Sequence, residues 1–135
     1  MKYSITKAKK KRDKRGFLVD FLKFDELDQQ DRVFGQAYCI TFESPRVVRG
    51  NHYHTGKKEW LVAIKGKLRV VLEDVKTKER VEFILDGDSD EYKRIEINEN
   101  IAHAFRNISR TAVMINYCNK PYHVEDPDSI RYKLL

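Results

Sequence analysis

Four side chains able to bind metal or move protons are spaced through the middle of this sequence: His52, His54, Glu59 and His103. His52 and His54 are two residues apart, so on an extended strand both imidazoles point to one face. Gly56 allows a turn, and Glu59 then opens a second apolar run that ends at Gly66. The carboxylate is thereby expected to return across a hairpin towards the imidazoles. Mixed imidazole and carboxylate ligands suit one divalent ion, and Zn, Ni, Mn and Fe all accept such a set. A neutral imidazole also suits proton removal near pH 7, because its ordinary pKa is close by. At His52 the two roles compete for one nitrogen lone pair. Plain core histidines are the duller reading, and the register of Glu59 argues against it.

The elements that must hold these residues show mostly a period of two. Val33–Phe42 reads as a strand stopped by Ser44-Pro45, and Phe17–Phe24 is apolar enough for another. Trp60–Ile64 and Leu68–Val75 are separated by Lys65-Gly66-Lys67, a hairpin signal. Glu79–Leu85, Tyr92–Ile97 and Ala112–Cys118 supply further strands, while Asp25–Asp31 is polar and fits a short helical turn or loop. Many short strands with turn signals between them predict an all-β antiparallel sandwich or barrel.

The chain's 135 residues suffice for one core and are too few for two. They read as a single domain over 1–135, with a basic arm or strand at 1–16 and a C-terminal tail at 129–135. Apolar residues at 41% alongside charged residues at 36% exclude a disordered chain. No apolar run approaches a membrane span and no apolar leader follows Met1, so no membrane partner is expected. Cys39 and Cys118 lie in apolar runs outside any C-x-x-C spacing. They read as buried free thiols of a cytoplasmic protein. The net charge of +6 is concentrated partly in Lys7–Arg15, which suggests an anionic partner or a solvated basic strand. Nucleic acid is the weaker candidate, since no helix-turn-helix, zinc-finger or RNA-binding signature accompanies the charge.

The spacing His-x-His-x4-Glu-x6-Gly at His52, His54, Glu59 and Gly66, with His103-x3-Asn107 later, resembles the two metal motifs of the cupin barrels. The usual Pro-x-Gly before the second motif is replaced by Asn98-Glu99-Asn100-Ile101. Asp13-Lys14-Arg15-Gly16-Phe17-Leu18 and Arg49-Gly50-Asn51-His52 resemble segments of the nucleotide-sugar epimerases and ketoisomerases. Tyr117-Cys118-Asn119-Lys120-Pro121-Tyr122 is similar to a C-terminal stretch of the dTDP-4-dehydrorhamnose 3,5-epimerases. Arg-Gly-Asn-His-Tyr-His with Glu59 resembles the cupin domain fused to capsular-polysaccharide sugar reductases.

The resemblance implies a cupin jelly roll, a homodimer, and an isomerase of nucleotide-linked 4-keto-6-deoxyhexoses. Proton removal beside the 4-keto group gives an enediolate; return of the proton gives a C3 or C5 epimer or a 3,4-ketoisomer. On this reading His52 is the base, His54 or His103 holds the developing charge, and Tyr117 is the acid on the opposite face. Arg15 and Arg49 would hold the diphosphate of the nucleotide-sugar substrate, where a planar fork of donors outperforms Lys. Tyr38 and Trp60 could stack on a base or sugar ring. The full ligand set of His52, His54, Glu59 and His103 leans towards a bound metal, and no nicotinamide or flavin is expected. A metal-dependent cupin oxygenase or small-molecule isomerase, and a non-catalytic sugar-binding cupin, are the competing functional classes.

Overall fold

The computed structural model describes residues 1–135. The chain begins with β1 (Tyr3–Lys9), β2 (Lys11–Asp13) and β3 (Gly16–Leu18), then two short 3-10 turns at Phe24–Glu26 and Gln29–Asp31. Next come β4 (Gln36–Phe42), β5 (Val48–Tyr53), β6 (Glu59–Lys65), β7 (Lys67–Asp74) and β8 (Arg80–Asp86). The chain continues through β9 (Glu91–Ile97), β10 (Ile101–Asn107), β11 (Ala112–Cys118) and β12 (Ile130–Arg131). Two five-stranded sheets, in the orders β1-β9-β6-β11-β4 and β12-β5-β10-β7-β8, face each other, and β2 pairs with β3 apart from them. The pairings are antiparallel, so the expected all-β antiparallel jelly roll is the observed architecture. No helix is long and apolar enough to cross a membrane.

The core lies between the sheets and follows the period-two alternation. Leu61 and Ala63 of β6, Leu68, Val70 and Leu72 of β7, Ile95 and Ile97 of β9, Phe105 of β10 and Met114 of β11 meet there. Each large side chain buried in this way contributes about 1.5–3 kcal/mol. The same inward rows carry Glu59, His103 and Asn116 towards one end. The polar cluster is therefore set into the wall of the apolar core.

Three expectations about the chain's path are corrected. Lys65-Gly66-Lys67 is a corner rather than a hairpin, because β6 and β7 belong to opposite sheets. Gly66 has φ +75°, and a Cβ there would sit 2.2 Å from the Thr111 carbonyl oxygen, so the corner requires glycine. Likewise β5 and β6 lie in facing sheets, so Glu59 approaches the imidazoles across the sandwich. In place of a strand over Phe17–Phe24, only Gly16–Leu18 is extended, and Leu18 and Phe24 are 63% and 67% exposed. That stretch has no partner strand beyond the short β2–β3 hairpin, and an unpaired strand is not stable by composition alone.

The basic N-terminal run is shared between β1, which pairs along its length with β9 of the same chain, and the β2–β3 hairpin. Both cysteines are free and Cys118 is buried, but Cys39 is exposed, on the outward row of edge strand β4.

Candidate active site

β5 delivers His52 and, one residue beyond its end, His54. A bulge precedes them: His103 pairs with His52 but Ala104 with Gly50, leaving Asn51 as the extra residue. Gly50 and Asn51 have φ of +90° and +57°. A Cβ on Gly50 would lie 2.6 Å from the His103 carbonyl oxygen, so the close approach of β5 to β10 needs glycine there. Asn51 also fastens the C-terminus: its side-chain oxygen accepts from the Leu134 and Leu135 amides, and its Nδ2 donates to the Leu135 carbonyl. The returning chain forms β12 along β5 and brings Asp128 to His54.

The three imidazoles offer nitrogens that lie within 4.8 Å of one another. His52 is the shared neighbour, with ring centroids 4.9 Å from His54 and 4.7 Å from His103. His54 Nδ1 donates to the Asp128 carbonyl and His103 Nδ1 to the Ile101 carbonyl at 3.1 Å. A carbonyl can only accept, so each Nδ1 carries its proton and each Nε2 faces the site. Both Nε2 atoms meet the buried Glu59 carboxylate, His54 at 3.3 Å and His103 at 3.1 Å. Asn116 Nδ2 donates to the same carboxylate at 3.0 Å. A carboxylate oxygen facing an imidazole lone pair is repulsive, so a proton or a metal cation belongs between them.

Burial opposes the charged forms of all these groups, but the outcome differs by position. Burial pulls His54 down, but the hydrogen bond and charge of Glu59 and the Asp128 carbonyl outweigh it and raise its pKa. Glu59 is raised by burial and lowered further by His103 and His54, ending well below the usual carboxylate range. His52 has no such carboxylate contact; burial and the charges of His103 and His54 lower it to about 4. His52 is therefore neutral at pH 7, with a lone pair free. Burial, reinforced by the charge of Glu59, pushes the Cys118 thiol up to about 12. Beyond the contacts between the imidazoles and the carboxylate, His54 Nε2, Glu59 Oε2 and Asn116 Oδ1 are buried with no further hydrogen-bond partner.

A cavity of about 290 Å³ opens beside the imidazoles, lined by His52, His54, Tyr38, Lys57, Cys118 and Tyr122 among others. A narrower space of about 60 Å³ reaches past His52 to Arg49, Glu59 and His103. The structure thus brings together His52, His54, Glu59, His103, Tyr38 and Arg49. The Tyr38 hydroxyl accepts from Asn116 Nδ2 at 2.7 Å, and Arg49 Nε donates to the Thr41 carbonyl at 3.0 Å. Three expected residues are placed elsewhere. Tyr117 lies on the outer row of β11, donates to the Val33 carbonyl, and packs on Trp60 with centroids 5.5 Å apart. Trp60 is buried on that same outer face of β6, since Glu59 and Leu61 take the inward positions. Arg15 is exposed at the tip of the β2–β3 hairpin and pairs with Asp13 at 2.6 Å.

Asn116 and Cys118 are the residues that strict alternation opposite Tyr117 points inward. Tyr122, which lines the cavity, stands five residues beyond Tyr117 in the segment that carried the resemblance. Lys57 carried no sequence signal beyond its place in the loop before Glu59.

Residues 11–130 match the model of the polysaccharide biosynthesis C-terminal domain family. The chain belongs to that family. No curated protein matches it in sequence. Among solved structures it is similar to the capsular polysaccharide assembling protein CapF of Staphylococcus aureus, at 23% identity and a TM-score of 0.69. That match covers 76% of this chain and 29% of CapF, so the chain spans under a third of that relative's length. It is also similar to the 3,5-epimerase RmlC of Legionella pneumophila in complex with dTDP-4-keto-L-rhamnose. There the identity is 22%, the TM-score 0.76, and the coverage 91% of this chain and 69% of that one. A 3,4-ketoisomerase from Helicobacter canadensis matches at 25% identity and a TM-score of 0.74, covering 97% of this chain and 91% of its own. The family and the cupin fold expected from the motifs are thereby established, and the fold is one that sugar-nucleotide epimerases and a ketoisomerase use.

Proposed function

We propose that this protein is an isomerase of a nucleotide-linked 4-keto-6-deoxyhexose, acting by proton transfer beside the keto group. The observation that carries the reading is His52: a neutral imidazole, flanked by two further imidazoles, facing a cavity that also holds a tyrosine hydroxyl. RmlC, bound to a dTDP-4-keto sugar, and the ketoisomerase share the fold and supply the substrate class.

In the proposed reaction the 4-keto group acidifies the C3–H bond, and His52 takes that proton. The C–H electron pair becomes the C=C bond of an enediolate, and the carbonyl pair moves to O4. His54 and His103, with Nδ1 on backbone carbonyls and Nε2 on Glu59, would stabilise that oxygen through their field rather than by direct hydrogen bonds. Tyr122 lines the cavity and is the candidate acid in place of Tyr117, which faces away from it. A proton returned to C3 from the opposite face gives the epimer; one returned to C4, with the O3 hydroxyl proton passing to O4, gives the ketoisomer. His52, His54, Glu59 and His103 are also the residues that would hold a divalent metal. Such an ion would supply Lewis-acid polarisation of the keto oxygen. The buried facing of His54 Nε2 and His103 Nε2 on the Glu59 carboxylate, where a cation belongs between lone pairs, supports that fit.

We also propose a cytoplasmic homodimer: β4 is an unpaired sheet edge, and the preceding Phe34 is 99% exposed.

The test is solvent deuterium incorporation at C3 of a dTDP- or UDP-4-keto-6-deoxyhexose, followed by NMR. His52→Asn is expected to slow exchange by at least about 100-fold. Tyr122→Phe should slow product formation more than exchange, and Tyr117→Phe should leave both within a few-fold of wild type. Wild-type exchange rates in His52→Asn would refute the reading. Oxygen uptake with bound iron, in place of exchange, would assign the site to an oxygenase.

A further inference from the structure

Lys57 is buried at 6% exposure, yet its ammonium has no ion-pair partner; the Tyr122 ring centroid lies 5.9 Å away. The adjacent Lys58 shows the ordinary arrangement, with its ammonium 2.9 Å from Asp31. Most of its stem is covered, while the ammonium itself opens onto two spaces and has no carboxylate at ion-pair distance. An ammonium held in this way is available to the counter-charge of a ligand entering those spaces.

Lys57 stands at the boundary of two adjoining spaces. On one side is the cavity with His52, His54 and Tyr122; on the other is a polar pocket of about 330 Å³ with Gly56, Lys120 and His123. The outer pocket also has the carboxylates of Asp126 and Asp128. Both Asp128 oxygens are occupied, one by the Thr55 amide and hydroxyl, the other by the Gly56 amide. Lys120 lies over Gly56, since a Cβ there would be 3.4 Å from its Nζ. Two ammonium groups therefore belong to the outer pocket, and that of Lys57 also faces the inner cavity. Small-molecule pockets run from about 300 to 1,000 Å³, and the inner cavity alone is at the low end of that range. A sugar ring fits it, whereas a whole sugar nucleotide needs both spaces and must place its linker at the boundary.

We propose that Lys57 anchors an anion subsite, with Lys120 and His123 at its outer rim, for the diphosphate of a nucleoside-diphosphate sugar whose ring lies against His52. The proposal rests on the nucleotide-sugar reading above and adds where the ligand's charge is held. It assigns to Lys57 a role for which Arg15, exposed and paired with Asp13, is not positioned.

The experiment is calorimetric titration of dTDP, UDP and inorganic pyrophosphate into wild type, Lys57→Met and Lys57→Arg, alongside the C3 exchange assay. Wild type should bind a nucleoside diphosphate with an affinity that falls as salt rises. Lys57→Met should weaken it about 10- to 100-fold, the loss expected for a charge-assisted contact. Lys57→Arg should stay within a few-fold. The unliganded methionine variant should melt within a few degrees of wild type; a large drop would mark Lys57 as structural and overturn the proposal. Unchanged affinity in Lys57→Met overturns the subsite, and the isomerase reading then stands if wild type still exchanges C3. Lost exchange with unchanged nucleotide affinity also overturns it, since Lys57 would then serve the reacting oxygen. Wild type that binds neither nucleotide and exchanges no proton overturns both readings. Lys57→Gln provides the same comparison if the methionine variant does not fold.

Discussion

Lowering the pH should destabilise the metal-free protein through His52, and the size of the effect follows from its surroundings. The unfolded chain protonates His52 near 6.5, whereas burial and the neighbouring imidazoles hold the folded value at about 4. Between those values the unfolded state binds a proton that the folded state refuses, so stability falls as pH falls. His54, whose folded pKa is raised, contributes stability that is fully present below the unfolded value and is lost only as pH rises through its folded value. Glu59, whose folded pKa is depressed, contributes fully above its unfolded value and loses that contribution only as pH falls through its folded value. The interval from pH 6.5 to 4.5 is therefore governed by His52. Each pKa unit is worth about 1.4 kcal/mol, so the two units would give about 3 kcal/mol. The His52 ring faces an open cavity, and solvent screening reduces this to about 1–2 kcal/mol. Urea denaturation at pH 7.0, 6.0 and 4.5, after dialysis against a chelator, measures it in wild type and His52→Asn. The variant should lose about 1–2 kcal/mol less than wild type across the interval. Parallel stability profiles would show that His52 protonates freely in the folded state, and the argument for a neutral base at pH 7 would fail.

Two further outcomes are expected. Glu59→Gln removes the carboxylate in contact with His54 and His103 and should lower metal content in tag-free preparations measured by elemental analysis; unchanged content in both Glu59→Gln and His54→Ala would exclude a metal site there. Sedimentation at micromolar concentration should give a dimer, and Phe34→Asp should shift it towards monomer if the edge beside β4 is the contact; a wild-type monomer would reject the proposed homodimer.

The sequence alone determined the alternation of apolar and polar residues, and with it the antiparallel all-β class. Side-chain direction along a strand depends only on residue parity, so His52 and His54 could be assigned to one face without coordinates. The spacing to Glu59 and His103 marked them as partners, and they do converge. Parity failed where both faces of a strand are apolar. On β11, the inward row of Ala112, Met114 and the outer row of Val113, Ile115 look equally buriable in sequence, so nothing local showed that Tyr117 points away and Asn116 and Cys118 point in. Turn chemistry was similarly ambiguous. A glycine with positive φ serves a hairpin or a corner equally well, and only the pairing of β6 with β9 and β11 shows that Gly66 moves the chain to the other sheet. The electrostatics of the site belonged wholly to the tertiary structure. His52 and His54 are the same residue type two positions apart, yet one is held neutral and the other has its pKa raised. The difference arises because Glu59 reaches His54 across the sandwich while the C-terminal chain brings the Asp128 carbonyl to its far side. Such long-range placement sets local charge, and residue spacing carries no information about it.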